Sequence, residues 1–244
     1  MNEVAFEIVT PGVLKIIQEV KGPFEIEFDG AKYFRFMDYF YIQKENLDEL
    51  LPEEVSNLCR ARAKYPSLIS PVNTEVREIF ARLAHIICPT SLLEIGAGTH
   101  PVFLKAAPEA MRYVLSDADS EVVKHHENSK TECYLFSDQH CQVPLEENNF
   151  EMVIAVFVLH FPFHKSQLDE IHKRLKSTGV VVANVYRRSS TSRESLINEM
   201  KCTGFKIKRV SDPKKLCAEH EYWILGKQDA QIEICASRLM GLIS

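Results

Sequence analysis

The most informative segment of this chain is Leu92-Leu93-Glu94-Ile95-Gly96-Ala97-Gly98-Thr99-His100. It begins as an apolar run of strand length and ends in two glycines, which permit a tight turn. A strand that passes through a glycine turn into a helix presents free backbone N–H groups at the carboxyl edge of a sheet, where nucleotide-like ligands bind. We therefore expect a ligand-binding loop at residues 94–98.

The sequence that follows alternates between short apolar runs and helix-length segments. The apolar runs are Ser91–Ile95, Tyr113–Leu115, Cys133–Phe136, Met152–Leu159 and Gly179–Val185. An amphipathic segment, Gln167–Lys176, lies between the last two runs. Strands that alternate with helices form a parallel sheet covered on both faces.

The last quarter of the chain departs from this alternation. A predicted helix, Ser195–Cys202, precedes two predicted strands, Phe205–Val210 and Tyr222–Lys227, which are joined by a loop without a helix-length segment. Strands connected without a crossover helix pair most simply as antiparallel neighbours. The predicted fold class is therefore α/β, a doubly wound, mostly parallel seven-stranded sheet with the last strand antiparallel.

Residues 1–88 have a different pattern, and we predict an N-terminal α+β lid on a core of residues 89–244. Phe24–Phe28 alternates apolar and acidic residues, Asp29-Gly30 favours a tight turn, and Ala31–Met37 returns, so a β-hairpin is expected. Aromatic residues in and after the hairpin suit the apolar wall of a binding site. They are Phe24, Phe28, Tyr33, Phe34, Phe36, Tyr39, Phe40 and Tyr41.

Three helices are predicted in the same region. The first is Pro11–Val20, with proline at the first helical position, where its missing N–H costs nothing. The second is Asn46–Lys64, divided at Pro52, and the third is Thr74–Ile87, whose apolar residues follow helical spacing.

Composition narrows the class of protein. With 45% apolar and 26% charged residues among 244, the chain is neither collagen, nor low-complexity disorder, nor a disulfide mini-protein. A net charge of −5 argues against a protein that coats a polyanion through a global basic field. Residues 181–244 nevertheless hold 11 basic and 7 acidic residues, so a local basic face is an open alternative.

The cysteines and the apolar stretches indicate the compartment. Seven cysteines without a CxxC or CxxxC pair favour free thiols over a disulfide framework or a thiolate zinc site, so no metal is predicted. The N-terminus lacks the basic flank of a signal peptide, and the most apolar stretch, Met152–Phe163, is too short to span a bilayer. We expect a soluble cytoplasmic protein with no membrane partner.

Two carboxylates sharpen the interpretation of the glycine loop. Glu94 stands two residues before Gly96, and Asp117 closes the next predicted strand 21 residues after Gly96. A carboxylate at that strand end can accept hydrogen bonds from both hydroxyls of a ribose.

With these residues in place, the sequence from about Ser91 to Lys227 resembles the class I S-adenosylmethionine-dependent methyltransferases. The matching segments, in chain order, are Glu94–Thr99, Ser116–Asp119, Ser137–Gln139, Val143-Pro144-Leu145, Phe150–Val153, Val158–His160 and Arg174–Gly179. The first three are similar to the family's loop at the methionine end of the cofactor, its ribose-binding strand end and its adenine-contacting strand end. The sequence departs from the family pattern at His100-Pro101, where a third glycine is usual.

The resemblance implies S-adenosylmethionine as cofactor and in-line transfer of its methyl group. It also implies a set of cofactor-binding residues: Glu94, Gly96, Ala97, Gly98, Asp117, Ala118, Asp138, Gln139 and Phe157. His160, just past the fourth core strand, is the candidate catalytic residue, and His164 and Tyr186 are further candidates.

A small-molecule acceptor is expected, because Ala155–Val158 lacks the Asn/Asp-Pro-Pro-aromatic tetrad that grips a planar amide or exocyclic amine. Three alternatives stay open. An NAD(P) oxidoreductase is opposed by Glu94 and Pro101, and a non-catalytic cofactor-binding protein is favoured by the altered loop at His100-Pro101. An RNA or tRNA methyltransferase, which we disfavour, would use the basic residues Arg187, Arg188, Arg193, Lys206, Lys208, Arg209, Lys214 and Lys215.

Overall fold

The computed structural model describes residues 5–17, 22–36, 39–68, 71–103, 107–128, 131–144, 150–214 and 220–244. Its N-terminal part is an antiparallel sheet in the strand order β1-β2-β5-β4-β3. The strands are β1 (Phe6–Thr10), β2 (Val13–Ile16), β3 (Glu25–Phe28), β4 (Ala31–Phe36) and β5 (Phe40–Ile42). A few residues of the predicted segments, namely Val20, Met37, Leu145 and Lys215, lie outside the described residues.

The predicted hairpin is confirmed, and the first predicted helix is wrong. β3 and β4 pair around Asp29 and Gly30, whose φ angles of 50° and 72° are those of a primed hairpin turn. The described part of Pro11–Val20 is instead the turn and second strand of the β1–β2 hairpin, with Gly12 at φ 76°. Pro-Gly suits the centre of a type II turn, and β2 also pairs with β5, which favours the strand over the helix.

Two helices connect this sheet to the core. α1 (Pro52–Ala63) begins at the proline that divides the predicted segment, and α2 (Pro71–Ile87) begins earlier than predicted because Pro71 is accommodated in the first turn. The predicted apolar face of α2 is buried, and it packs on the core sheet. α2 is therefore a layer of the core in packing terms, although it precedes the predicted boundary at residue 88.

The core sheet has seven strands in the order β11-β12-β10-β9-β6-β7-β8. They are β6 (Ser91–Ile95), β7 (Arg112–Asp117), β8 (Cys133–Leu135), β9 (Phe150–Ala155), β10 (Leu175–Val185), β11 (Lys206–Ser211) and β12 (Glu221–Gly226). Its helices are α3 (Ser120–Asn128), α4 (Lys165–Arg174), α5 (Ser190–Thr203) and α6 (Asp229–Ile243). β12 runs antiparallel to both of its neighbours, β11 and β10. The other neighbouring strands, from β10 through β9, β6 and β7 to β8, pair in parallel. The predicted α/β class is therefore confirmed.

The clearest differences from the predicted elements are at β10, β9, α5 and α6, and α5 begins at Ser190 and not at Ser195. β10 begins at Leu175, directly after α4, and not at Gly179. β9 ends at Ala155, short of the predicted Leu159, because Phe157 has a φ of 59° and turns the chain out of the strand. α6 was not predicted. It packs beside α2 on one face of the sheet, whereas α4 and α5 cover the other face.

Candidate functional site

A cavity of about 500 Å³ lies at the carboxyl edge of the core sheet. Its floor is formed by the residues that follow β6, β7, β8 and β9, and α1 lies across from them. Phe36 of β4 adds to the wall on the side of the N-terminal sheet. The volume is within the range of about 300–1,000 Å³ that is usual for small-molecule sites.

The glycine loop forms one side of this cavity. Gly96 and Gly98 have φ angles of 64° and 57°, a conformation that residues with a Cβ rarely adopt. A Cβ at Gly96 would lie 2.5 Å from Cγ2 of Val158, whereas a Cβ at Gly98 would meet no atom within 4 Å. Gly98 therefore leaves a cradle open to the cavity, and the Ala97 N–H holds the loop by donating to the Ser116 carbonyl at 3.1 Å.

Asp117 lines the cavity at the end of β7 and is bound to the loop. Its Oδ2 accepts from the Gly98 N–H at 2.9 Å, and its Oδ1 accepts from the Asp119 N–H at 2.9 Å. Burial raises the pKa of this carboxyl. The N-terminus of α3 is capped by Asp119, which accepts from the Glu121 N–H at 2.9 Å, so Asp117 is not the cap.

Glu94 lies behind the glycine loop and not in the cavity wall. Its carboxylate accepts from the Tyr113 hydroxyl and from the Val102 N–H at 2.9 Å, and Arg77 Nη1 lies 4.0 Å away. Burial raises the pKa of Glu94 to about 7. In this position Glu94 supports the segment that contains His100-Pro101, where the family pattern has a glycine.

Of the other predicted cofactor residues, some line the cavity and one does not. Ala97, Ala118, Asp138 and Phe157 line the cavity. Gln139 does not; it follows Asp138 in a turn, where its backbone N–H donates to Ser137 Oγ at 3.3 Å.

A buried hydrogen-bond chain holds Phe157 in its left-handed conformation. The Phe157 N–H donates to Asn184 Oδ1 at 2.7 Å, and Asn184 Nδ2 lies 3.2 Å from His220 Nε2. The other ring nitrogen, Nδ1, lies 2.8 Å from Asp212 Oδ2. Burial lowers the pKa of His220, so a neutral ring that donates from Nδ1 and accepts at Nε2 satisfies every link.

The sequence did not predict this set of hydrogen bonds, because the three residues that form it are far apart along the polypeptide and belong to no motif. We call Asn184, His220 and Asp212 the support chain of Phe157.

His160 faces the cavity from an aromatic surround. Its ring centroid lies 4.1 Å from that of Phe161, 4.6 Å from Tyr186 and 6.5 Å from Phe36. Burial, assisted by the charges of Arg187 and Arg62, lowers the pKa of His160 well below its usual value, so the ring is neutral. Within the described residues, Nδ1 of His160 has no hydrogen-bond partner.

The basic residues named as a possible RNA-binding face are bonded within the protein, apart from Lys215, which lies outside the described residues. Arg187 donates to the Arg35 carbonyl at 2.7 Å, and Arg188 donates to the Leu159 carbonyl at 2.6 Å. The others form ion pairs: Arg193–Glu221, Lys206–Asp229, Lys208–Glu233, Arg209–Glu221, Arg209–Glu194 and Lys214–Glu75.

The described residues contain neither a metal site nor a membrane-spanning helix. Across the described ranges, no group of three or more His, Cys, Asp or Glu side chains is arranged to hold a metal ion. Every helix in those ranges is too short or too polar to cross a bilayer.

Comparisons with known proteins agree with this geometry. Residues 93–183 match a family model described as a methyltransferase domain. No curated protein is significantly similar to the chain in sequence.

Solved structures share the fold at low identity. A TehB-like S-adenosylmethionine-dependent methyltransferase from Corynebacterium glutamicum has a TM-score of 0.54 and 14% identity, over 73% of this chain and 100% of that one. The CMeT domain of the citrinin polyketide synthase has a TM-score of 0.50 and 13% identity, over 73% and 57%. An S-adenosylmethionine-dependent methyltransferase from Clostridium acetobutylicum has a TM-score of 0.50 and 9% identity, over 70% and 98%.

The match of residues 93–183, the order of the core strands and the glycine loop beside an acidic strand end all point the same way. Residues 93–183 therefore form a methyltransferase domain, and the core has the fold of S-adenosylmethionine-dependent methyltransferases.

Proposed function

We propose that this methyltransferase acts on a small-molecule acceptor, which binds in the cavity between α1 and the carboxyl edge of the core sheet. The observation that carries the proposal is the position of α1 and Phe36, which cover the cavity on the side opposite the sheet. A covered cavity of about 500 Å³ suits a small acceptor, whereas a polymer requires an open surface.

The cavity floor fits the cofactor. Gly98 leaves an open cradle, and Asp117 offers carboxylate oxygens that can accept further hydrogen bonds from ribose hydroxyls. The residues that hold the cofactor are Gly96, Ala97, Gly98, Asp117, Ala118, Asp138 and Phe157, with Glu94 supporting the loop from behind and Gln139 at the margin. S-adenosylmethionine supplies a methyl group on a sulfonium, so its leaving group is already activated.

His160 is the group that takes a proton from the acceptor. Its ring is neutral, it lines the cavity, and its Nδ1 has no partner among the described residues. A neutral imidazole with a free nitrogen is a suitable general base when the nucleophile carries a proton. The rings of Phe36, Phe161 and Tyr186 around it keep water away from the acceptor.

Within the N-terminal region, residues 1–88, the antiparallel sheet and α1 serve as the lid that shapes the acceptor side. Arg60 of α1 forms a bidentate ion pair with Asp119, with N–O distances of 2.9 and 3.0 Å. Arg187, which follows β10, donates to backbone carbonyls of Arg35 and Glu45. These contacts attach the lid at two edges of the cavity, and α2 remains part of the core layer beneath.

The charge arrangement supports a small acceptor over RNA. Arg187, Arg188 and Arg193 point inward, and Lys206, Lys208, Arg209 and Lys214 are paired with carboxylates. Phosphate binding relies on cations that are free to replace counterions, and paired cations offer little of this.

The test measures the transfer of a labelled methyl group from S-adenosylmethionine to an acceptor. The protein is incubated with methyl-labelled S-adenosylmethionine and either a small-molecule cell extract or total tRNA, and label is counted in each acceptor. We expect label in the extract. We also expect it to be lost in Val55→Trp, because Val55 lines the cavity from α1 near Phe36 and Phe161.

S-adenosylhomocysteine binding is measured in parallel to confirm that the variant keeps the cofactor site. Label in tRNA would contradict the proposal. Tight S-adenosylhomocysteine binding without transfer to any extract would favour the non-catalytic alternative.

A further inference from the structure

One positively charged side chain of the cavity, that of Arg62, has no bonded partner among the described residues. Arg62 lies on α1 and lines the cavity half-buried. Its neighbour on the same helix, Arg60, is paired with Asp119, and Arg77 of α2 is bonded to Asn73 and near Glu94. By contrast, the described part of the chain provides neither an ion pair nor a hydrogen bond to the Arg62 guanidinium.

An arginine in such a place implies a partner. A guanidinium that is partly removed from water loses hydration, and this loss is recovered when an anion binds it. The planar fork of arginine matches a carboxylate, which it can bind through two parallel hydrogen bonds.

The charges of the cavity are divided between its two ends. The acidic residues in its wall are Asp117, Asp119, Glu121 and Asp138, and all of them follow β7 or β8. The rings packed around His160 are those of Phe36, Phe157, Phe161 and Tyr186, which are uncharged. Arg62 lies between the two ends: besides burial, its charge contributes to the lowered pKa of His160, and it also contributes to the lowered pKa of His100 and of Arg77 beside the glycine loop.

We propose that Arg62 binds a carboxylate of the methyl acceptor, so that the acceptor is an aromatic or otherwise flat apolar molecule with one anionic group. The proposal rests on the proposed function and adds the class of acceptor to it. The aromatic surround of His160 holds the apolar body, and His160 faces the nucleophile. The charge of Arg62 disfavours an acceptor whose apolar body carries a protonated amine in place of the carboxylate.

The test measures binding to protein saturated with S-adenosylhomocysteine, so it does not depend on turnover. Three probes share one phenol ring: 4-hydroxyphenylacetate, its amide and tyramine. Affinities are measured by calorimetry for the wild type, Arg62→Gln, Arg62→Lys and Lys64→Gln. Lys64 is the matched control, because it is an exposed cation that follows α1 and donates to the Val9 carbonyl, away from the cavity.

In the wild type and in Lys64→Gln we expect the acid to bind about tenfold more tightly than the amide, and tyramine to bind most weakly. Arg62→Gln should remove the preference for the acid, and Arg62→Lys should restore most of it. The affinity for S-adenosylhomocysteine, measured without probe, should stay within about twofold of the wild type in all variants.

Several results would overturn the proposal. The proposal is wrong if the amide or tyramine binds the wild type as tightly as 4-hydroxyphenylacetate does. It is also wrong if 4-hydroxyphenylacetate shows no saturable binding to the wild type. A loss of about tenfold in S-adenosylhomocysteine affinity in Arg62→Gln would assign the carboxylate to the cofactor instead. Failure of the proposed function itself is distinguishable, because it appears as missing label transfer and leaves these binding measurements unchanged.

Discussion

Alanine substitutions at Gly96 and Gly98 test whether the loop backbone is the cofactor surface. Both glycines have left-handed φ angles, so either alanine costs about 1–2 kcal/mol of backbone strain. Only the methyl at Gly96 also meets Val158, at 2.5 Å, and overpacking of this kind costs a further ~1–3 kcal/mol. We therefore expect Gly96→Ala to lose about 2–5 kcal/mol of unfolding free energy and Gly98→Ala about 1–2 kcal/mol.

Urea unfolding measures these losses, and calorimetry measures the affinity for S-adenosylhomocysteine. Gly98→Ala should weaken binding despite its milder effect on stability, because its methyl would stand in the cavity. Gly12→Ala is the matched control, since Gly12 has φ 76°, an open surround and a place in the β1–β2 turn. The reasoning is refuted if Gly98→Ala binds as tightly as Gly12→Ala, or if it unfolds as easily as Gly96→Ala.

Three further predictions concern buried polar groups. Asp117→Asn should weaken S-adenosylhomocysteine binding about tenfold or more, whereas Asp119→Asn should mainly lower the melting temperature; calorimetry showing the reverse would contradict the roles assigned here. The pKa of Glu94 is raised from 4.5 to about 7, so its contribution to stability is full below about pH 4.5 and is lost as pH rises through about 7. Between about pH 5 and about pH 8, the free energy of unfolding in urea should fall by up to about 3 kcal/mol more in the wild type than in Glu94→Gln. An equal pH dependence in both proteins would refute the burial argument. Asn184→Leu leaves the Phe157 N–H and His220 Nε2 unpaired, so it should cost about 1–3 kcal/mol and speed hydrogen exchange at the Phe157 amide; unchanged exchange there would contradict the support chain.

The parts of the fold that the sequence predicted are those with local signals. Asp29-Gly30 between alternating residues specified its hairpin, and the apolar run before Gly96 specified β6 to the residue. Pro11-Gly12 was ambiguous, because proline suits both a helix start and a turn. Pairing of β2 with β5, more than twenty residues later in the chain, decided between them.

α6 is a different case, because its signal was present in the sequence. Its buried residues Ile232, Cys235, Ala236, Leu239 and Ile243 follow helical spacing and could have predicted it.

The sequence predicted which loop and strand-end residues would come together in the candidate site, but not the buried residues that hold them in place. Sequence spacing brought Gly98 and Asp117 together, and their hydrogen bond of 2.9 Å agrees with it. The spacing did not predict that Glu94 lies behind the glycine loop and outside the cavity wall, because that position depends on its hydrogen bonds with Tyr113 and Val102. The support chain of Phe157 and the position of Arg62, whose guanidinium has no partner in the described part of the chain, depend on tertiary packing, which has no local signature.

The attachment of the N-terminal region through Arg187 has a consequence for how this enzyme can change. Arg187 binds the carbonyl oxygens of Arg35 and Glu45, and every amino acid supplies a carbonyl oxygen. The side chains at those two positions are therefore free to vary without loss of these hydrogen bonds. An enzyme of this design could acquire a new acceptor through substitutions in β4 and α1 while the cofactor floor stays as it is.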